Sequence, residues 1–463
     1  MADSFELRGK SVLVVGLART GVATSLFCAA RGARVTATDA RGESEFGEAL
    51  APLRRAGVNL ELDGHSSGTL AQKDLVIPSP GVPADAPILR AARQKGITVW
   101  SEIELAFRFL KGKLIGITGS NGKTTTTSLI EHILRGSGLS TLLAGNIGTP
   151  LISCVEAATE RTWTVAELSS FQLELIASFR PHISVFLNLT PDHLDRHGTM
   201  DAYAAAKARI FENQQAGDFA VLNADDPATR RHAPKPPEVF WFSRKENVQQ
   251  GACLAGDAIV FHRAARREHI LRREEIPLAG AHNLENVLAA AAAARLAGVA
   301  PADIAKGIRS FKGVEHRLEF VAELNGVRFF NDSKATNVDA TLKALDAFPG
   351  RILVILGGKD KGSDYTALRQ SLRERAVLAL LIGAAADKIE QQIRGSVAIE
   401  RAGTLDRAVE TAAHAAQPGD IVLLAPACAS FDQFQNYEHR GRVFKQLVRQ
   451  LENHTAGATT GRR

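Results

Sequence analysis

The segment KLIGIT, residues 113–118, runs without a break into Gly119-Ser120-Asn121-Gly122-Lys123-Thr124-Thr125 and on into the helix-like stretch TTSLIEHIL. An apolar strand feeding a glycine turn and then a helix belongs to a parallel sheet whose crossovers are helical. Backbone N–H groups of such a turn, with the positive end of the following helix, hold phosphates. Lys123 then neutralises the terminal phosphate and the Thr124 hydroxyl is placed to ligate Mg2+. The turn departs from the G-x-x-x-x-G-K-[ST] pattern, because Ile117 stands at the first glycine position and Gly119 takes its place. A plain flexible turn is the alternative, and the strand before with the helix after favours phosphate binding.

The same alternation recurs on both sides of this turn. The first hundred residues carry the strands SVLVVG, ARVTATD, DLVIPSPGV and ITVW, with a helix over about Gly21 to Arg31. After the turn come TWTVAEL, HISVFLNL and DFAVLNAD and an Ala-rich helix from Asn286 to Ala297; a third series contains VRFFND, RILVILGG, LALLIG and DIVLLAPA. At about 150 residues per domain, 463 residues predict three α/β domains, each a mostly parallel sheet flanked by helices. The expected boundaries are residues 1–111, 112–313 and 314–463, Rossmann-like, P-loop ATPase-like and Rossmann-like in that order. Ligands are expected in the clefts at the carboxyl ends of such strands.

Composition narrows the classes further. An apolar fraction of 45% excludes disorder, 39 glycines without a triplet period exclude collagen, and 4 cysteines exclude a disulfide scaffold. Cys28, Cys154, Cys253 and Cys428 lack the paired spacing of a zinc or dithiol site and read as reduced core residues. A net charge of +6 over this length, without a dense basic run, suits small anionic ligands and no nucleic acid. The opening MADSFELRGK does not read as a secretory signal, and the longest apolar run, around Ala376 to Ala386, is too short for a membrane span. No membrane insertion is expected, and the predicted location is the cytoplasm.

Other candidate residues follow from position. Gly16-Leu17-Ala18-Arg19-Thr20-Gly21 resembles a dinucleotide fingerprint with Asp39 at the end of the next strand, but Ala18 replaces the middle glycine and crowds a pyrophosphate. A tight structural turn is the alternative there. Glu167 ends TWTVAEL, and Asp192, His193 and Asp195 follow HISVFLNL, so a carboxylate and an imidazole face the edge that carries the phosphate turn. Lys207 in AYAAAKARI reads, from the residues alone, as a solvated helix lysine. Lys334 in NDSKATN and Lys361 in GGKDKG follow strands and suit an anionic amino acid. Ser333, Thr336 and Ser430 have helix capping as their plain reading.

Taken in order, GLARTG, SPGVP, TGSNGKTTT, GNIG, ELSSFQLE, DHLDRH, the AAK helix, GAHNLEN, HRLE, NDSKATN, GGKDKG and ACASFDQFQNYEHRG resemble the Mur ligase family over nearly the whole chain. NDSKATN stands where siblings carry a D-Y-x-H-x-P type segment, which points to the member that adds D-glutamate. The resemblance implies an ATP- and Mg2+-dependent ligation of D-glutamate to UDP-N-acetylmuramoyl-L-alanine through an acyl phosphate, in peptidoglycan precursor synthesis. It implies that Gly119, Asn121, Gly122, Lys123, Thr124 and Thr125 hold the ATP phosphates, with Asn286, Arg317 and Asp332 near adenine and ribose. Metal ligands would be Thr124, Glu167, His193 and Lys207, the last carbamylated. Thr20, Asp39, Arg41 and Ser79 would bind the uridine diphosphate and Asn146 the sugar-peptide part. Lys334, Thr336, Lys361, Ser430, Phe431 and Tyr437 would form the D-glutamate pocket, although packing alone also accounts for Tyr437. Lys123, His193, Lys207 and Lys334 would carry the chemistry. A monomer with mobile domains is expected. A nicotinamide oxidoreductase using the Gly16 turn and a non-ligating nucleotide switch are the competing readings; the first leaves the Lys123 turn unexplained, the second the lysines of NDSKATN and GGKDKG.

Overall fold

A computed structural model describes residues 5–65, 68–146, 148–278 and 280–460, with the side chains of Asp195 and of residues 453–460 outside the described ones. The chain forms two compact units, Met1–Glu275 with Glu285–Ser310, and Ile276–Leu284 with Phe311–Arg463.

The first unit carries two sheets. Strands β1 (Ser11–Val15), β2 (Arg34–Thr38), β3 (Asn59–Glu61), β4 (Leu75–Pro78) and β5 (Thr98–Val99) are all parallel in the order β3-β2-β1-β4-β5. The order reverses between β1 and β4, so the turn after β1 opens at the switch point where open α/β sheets take ligands. The second sheet holds β6 (Lys113–Thr118), β7 (Thr141–Gly145), β8 (Trp163–Glu167), β9 (Ile183–Phe186), β10 (Phe219–Asn223), β11 (Glu238–Ser243), β12 (Gly251–Ala255), β13 (Ala258–Arg263) and β14 (Arg266–Arg272). Its order is β14-β13-β12-β11-β10-β9-β6-β8-β7, parallel from β7 to β12 and antiparallel at β12-β13 and β13-β14. Strand β6 lies between β8 and β9 and is buried after Lys113, which is why it reads as a continuous apolar run.

Between these two sheets in sequence runs the helix Glu102–Phe109, whose Ile103, Leu105 and Ala106 enter a core shared with residues of both sheets. Its two acids are buried. Glu104 accepts N–H groups from Ala177, Ser178 and Phe179 at 2.9, 2.9 and 2.8 Å and bonds Arg108, while Glu102 accepts from Ile152 N at 2.6 Å.

The second unit holds β15 (Glu319–Leu324), β16 (Val327–Asn331), β17 (Ile352–Gly357), β18 (Ala376–Ile382), β19 (Ala398–Gly403) and β20 (Ile421–Leu424), ordered β15-β16-β20-β17-β18-β19. All pairs are parallel except β15-β16. Along β17, Ile352, Val354 and Leu356 enter one core and Leu353 and Ile355 another, because alternate side chains serve helices on opposite faces.

The three α/β sheets expected from the strand pattern are therefore present. The antiparallel pair β13 and β14 was not foreseen; its apolar run is short, Ala258 to Phe261, and β14 carries exposed charge along the edge of the sheet. The Ala-rich helix begins earlier than expected, at Ala281, and spans Ala281–Leu296. All four cysteines are buried and free.

Candidate active site

The turn after β6 is built around two glycines at positive φ, Gly119 (φ 147°) and Gly122 (φ 85°), the latter capping the helix Lys123–Gly136. A Cβ on Gly119 would lie 2.9 Å from the Leu187 Cβ, and one on Gly122 would lie 2.2 Å from Asn286 Oδ1. The turn is cradled from the segment just past the neighbouring strand β9: Ser120 N donates to Asn188 O at 2.9 Å, Asn121 N to Asn188 Oδ1 at 2.8 Å, and Ser120 Oγ to Thr190 O at 2.9 Å. Lys123 Nζ donates to the carbonyl oxygens of Gly119 and Ser120, both at 2.9 Å, so the ammonium lies over the turn itself. The result is a preformed arch on a helix amino terminus, the arrangement that receives phosphate oxygens.

Acid and base groups surround the arch. Thr124 Oγ1 donates to Glu167 Oε2 at 2.8 Å, and Asn146 Nδ2 donates to Glu167 Oε1 at 3.0 Å. Lys207, on the helix Met200–Ala208, is 1% exposed and donates to Gly119 O at 2.8 Å. The solvated-lysine reading is thus wrong: the alanines around Lys207 let its helix pack against the arch and take the amine out of water. Burial, and then the nearby Lys123, hold its basicity well below the usual lysine range, against the opposing pull of Asp192 and Glu167. His193 sits at a left-handed position (φ 52°) before the short helix Leu194–His197, with its ring 4.8 Å from Phe171 and 6.4 Å from Tyr203. The Lys207 amine lies 4.7 Å from that same Tyr203 ring. The His193 side chain is 47% exposed and approaches Asp192 at 3.6 Å.

The turn after β1 brings together Asp39, Arg41 and Ser79. Asp39 accepts from Leu17 N at 2.7 Å and from two guanidinium nitrogens of Arg41 at 3.0 Å. Desolvation raises its pKa, but these donors outweigh it and pull the carboxyl down to about 2. Ser79 Oγ donates to Gly16 O at 2.6 Å, and Thr20 lies half-buried at the start of the helix Arg19–Ala30. Gly21 permits this tightness, since a Cβ there would lie 1.9 Å from Gly16 O. Asn146 belongs with Glu167 beside the phosphate arch.

In the second unit three loops converge at the carboxyl ends of the neighbouring strands β16, β20 and β17. Lys359 N donates to Ala429 O at 2.8 Å, joining GGKDKG to ACASFD. Arg440, fully buried, bonds Ser333 Oγ and Ser333 O at 2.9 Å and Cys428 O at 3.2 Å, joining NDSKATN to ACASFD. Lys334 lies 5.7 Å from the Tyr437 ring, Ser430 is buried, Thr336 half-buried, Lys361 exposed and Phe431 65% exposed. Asp332 is buried, and desolvation, opposed by Arg317 and Lys334, raises it to about 6. The capping reading does not hold for the hydroxyls: Ser333 Oγ donates to Tyr437 O at 2.8 Å, and Asn337 caps the helix Val338–Asp346. Glu315, His316 and Glu319 meet as a cation-sized group, yet Lys445 already donates to both glutamates at 2.5 and 2.8 Å.

Asn188, Thr190, Tyr203 and Arg440 were missed in the sequence. Asn188 and Thr190 carried one usable signal, their place just past β9, and Arg440 carried none beyond its membership of EHRG.

Fold and arch together define an α/β protein whose central sheet carries a P-loop-like glycine turn at a helix amino terminus. Family models match along the chain: Mur ligase MurD-like N-terminal domain over residues 10–101, Mur ligase middle domain over 117–294, and Mur ligase glutamate ligase domain over 316–428. The UDP-N-acetylmuramoylalanine--D-glutamate ligase of Koribacter versatilis is 52% identical over 96% of this chain and 98% of its own. That of Solibacter usitatus is 55% identical over 96% and 99%. MurF ligase from Thermotoga maritima in complex with ADP superimposes with a TM-score of 0.59 at 17% identity, covering 97% of each chain. The UDP-N-acetylmuramate-alanine ligase MurC of the same organism gives 0.58 at 19% identity, covering 96% and 99%. The chain belongs to the Mur ligase family. Among the described residues, no helix is long and apolar enough to cross a membrane.

Proposed function

We propose that the protein is an ATP-dependent ligase that joins D-glutamate to UDP-N-acetylmuramoyl-L-alanine, a step of peptidoglycan precursor synthesis. The observation that carries this reading is the Gly119–Thr125 arch with Thr124, Glu167 and the buried Lys207 packed on it, in a chain similar to D-glutamate ligases from end to end.

A carboxylate is a poor electrophile, so the reaction needs a leaving group. One oxygen of the L-alanine carboxylate attacks the γ-phosphorus of ATP, the β–γ bridge bond breaks and ADP leaves. The D-glutamate amine then attacks the acyl carbon, phosphate departs with the carboxylate oxygen, and the amine loses a proton as the amide forms. Bringing two anions together requires fixed positive charge, which Lys123 and the helix terminus supply. Lys123 would exchange its present carbonyl partners for phosphate oxygens. Asn121, Gly122 and Thr125 would line the phosphates, and Asn286, Arg317 and Asp332 the adenosine.

Thr124 and Glu167 offer hard oxygen ligands that suit Mg2+, Lys207 lies within electrostatic reach of Glu167, and His193 would complete the set. Held there, Mg2+ would neutralise phosphate charge. Lys207 fits this set only after modification, because an amine buried beside Lys123 is a poor neighbour for a cation. Its depressed basicity favours the neutral amine, which adds CO2 to form a carbamate with release of one proton, replacing a cation by an anionic oxygen ligand.

Thr20, Asp39, Arg41 and Ser79 would hold the uridine diphosphate and Asn146 the sugar-peptide portion. Lys334, Thr336, Lys361, Ser430, Phe431 and Tyr437 would hold D-glutamate, whose two carboxylates the lysines match in charge. Functional domains would span residues 1–111, 112–313 and 314–463, and the protein would act as a monomer in the cytoplasm on small molecules, without nucleic acid. The test is phosphate release from ATP with a panel of amino acids. Turnover should require both UDP-N-acetylmuramoyl-L-alanine and D-glutamate; equal turnover with L-lysine or meso-diaminopimelate would contradict it.

A further inference from the structure

The proposed uridine site and the proposed metal site belong to different sheets of the first unit, and one side chain bonds to both neighbourhoods. Arg196 lies on the short helix that begins just after His193. Its guanidinium donates to Pro80 O at 3.0 Å and to Val82 O at 3.1 Å, gripping the SPGVP loop on either side of Gly81. That loop frames the uridine site: Ser79, one residue earlier, holds Gly16 O at 2.6 Å, and Val82 N closes the turn on Ser79 O at 2.9 Å.

The other side of the guanidinium is fixed as firmly. It bonds Glu174 Oε2 at 2.8 Å and lies over the Phe171 ring at 4.0 Å. The opposite oxygen of Glu174 faces His197 Nδ1 at 3.4 Å, and the His193 ring meets the same Phe171 at 4.8 Å. Both partners of the Arg196–Glu174 pair are largely buried, and the planar guanidinium, held at once by Glu174, by two carbonyl oxygens and by an aromatic face, keeps its position better than a surface cation would. A shift of the loop at Pro80–Val82 is thereby passed to the helix whose first turn orients His193.

We propose that Arg196 is a positioning residue that couples occupancy of the sugar-nucleotide loop to the placement of His193 at the phosphate arch. The inference rests on the substrate reading above. By linkage, the coupling is reciprocal and is measurable as binding alone.

The test is calorimetric titration of the full chain with UDP-N-acetylmuramoyl-L-alanine, without and with Mg2+ plus a non-hydrolysable ATP analogue. In the unaltered chain the filled arch should tighten sugar-nucleotide binding about tenfold. Arg196→Ala should bind each ligand alone but lose that gain, and Arg196→Lys, which keeps the charge without the fork, should retain part of it. A merely structural role would lower both affinities and leave their ratio intact. Wild-type coupling in Arg196→Ala, or, should that chain fail to fold, in Arg196→Lys, overturns the proposal, as does an unaltered chain with no coupling. Failure of the unaltered chain to bind the sugar nucleotide at all would instead sink the substrate reading itself.

Discussion

At Lys207 a single side chain changes meaning with its surroundings. In water it is a cation; 1% exposed and bonded to Gly119 O, beside Lys123, its neutral form is favoured and open to CO2. Lys207→Ala should cost at least about a hundredfold in turnover if the carbamate is a metal ligand, by analogy with loss of a ligand or its support. Short-chain carboxylic acids should restore part of it, because they bring an oxygen pair to the vacated position; steady-state rates with and without added acetate check this, and full activity of Lys207→Ala would refute the carbamate. Gly122 makes a second, purely steric case. At φ 85°, with Asn286 Oδ1 2.2 Å from a would-be Cβ, Gly122→Ala should lose about 1–3 kcal/mol of stability and weaken nucleotide binding, read by thermal melts and ATP titration. Read from the residues alone, only the turn containing Gly122 was legible beforehand, because strand, glycines and helix adjoin in sequence; Lys207 entered the site through the family resemblance. The burial of Lys207 arises where its helix meets a turn 88 residues away, and no local pattern encodes that.

Among the elements, the helix Glu102–Phe109 shows how buried acids are tolerated and what they cost. Glu104 is satisfied by three backbone N–H groups, a hydroxyl and Arg108; desolvation raises its pKa, yet these donors bring it below the ordinary value. Glu104→Ala strips acceptors from the 177–179 turn and should destabilise by about 3–5 kcal/mol in denaturant titration. Glu102 is the opposite case: burial dominates over its donors and lifts it to about 7. A carboxyl whose folded pKa lies above the unfolded 4.5 binds more protons when folded, so its contribution to stability falls as pH rises from about 4.5 to about 7. Glu102→Gln removes that loss, and its melting temperature should exceed that of the unaltered chain by an amount growing from pH 5 to pH 8; a constant difference would refute the assignment. Elements read from apolar runs, such as β6 and β17, were legible because parallel strands buried on both faces leave no polar interruption. The pair β13 and β14 was not, because its short apolar stretches are interrupted by exposed charged residues, four of the seven in β14 being exposed.

Across the whole molecule, the three-sheet architecture and the order of its motifs were visible in the sequence, since each ligand turn directly follows a strand. The supports of those turns were not. Asn188 reaches the arch from 67 residues away, and Arg440 reaches Ser333 from 107, contacts that only the folded sheets create. What unites these parts is one claim: the Lys123 arch brings γ-phosphate to a carboxylate so that the oxygen of the acid itself joins phosphorus. Supplying UDP-N-acetylmuramoyl-L-alanine with ¹⁸O at both oxygens of the alanine carboxylate tests it directly, by mass analysis of the phosphate released during D-glutamate turnover. The account predicts one labelled oxygen in each phosphate, and unlabelled phosphate formed alongside the amide product would contradict it.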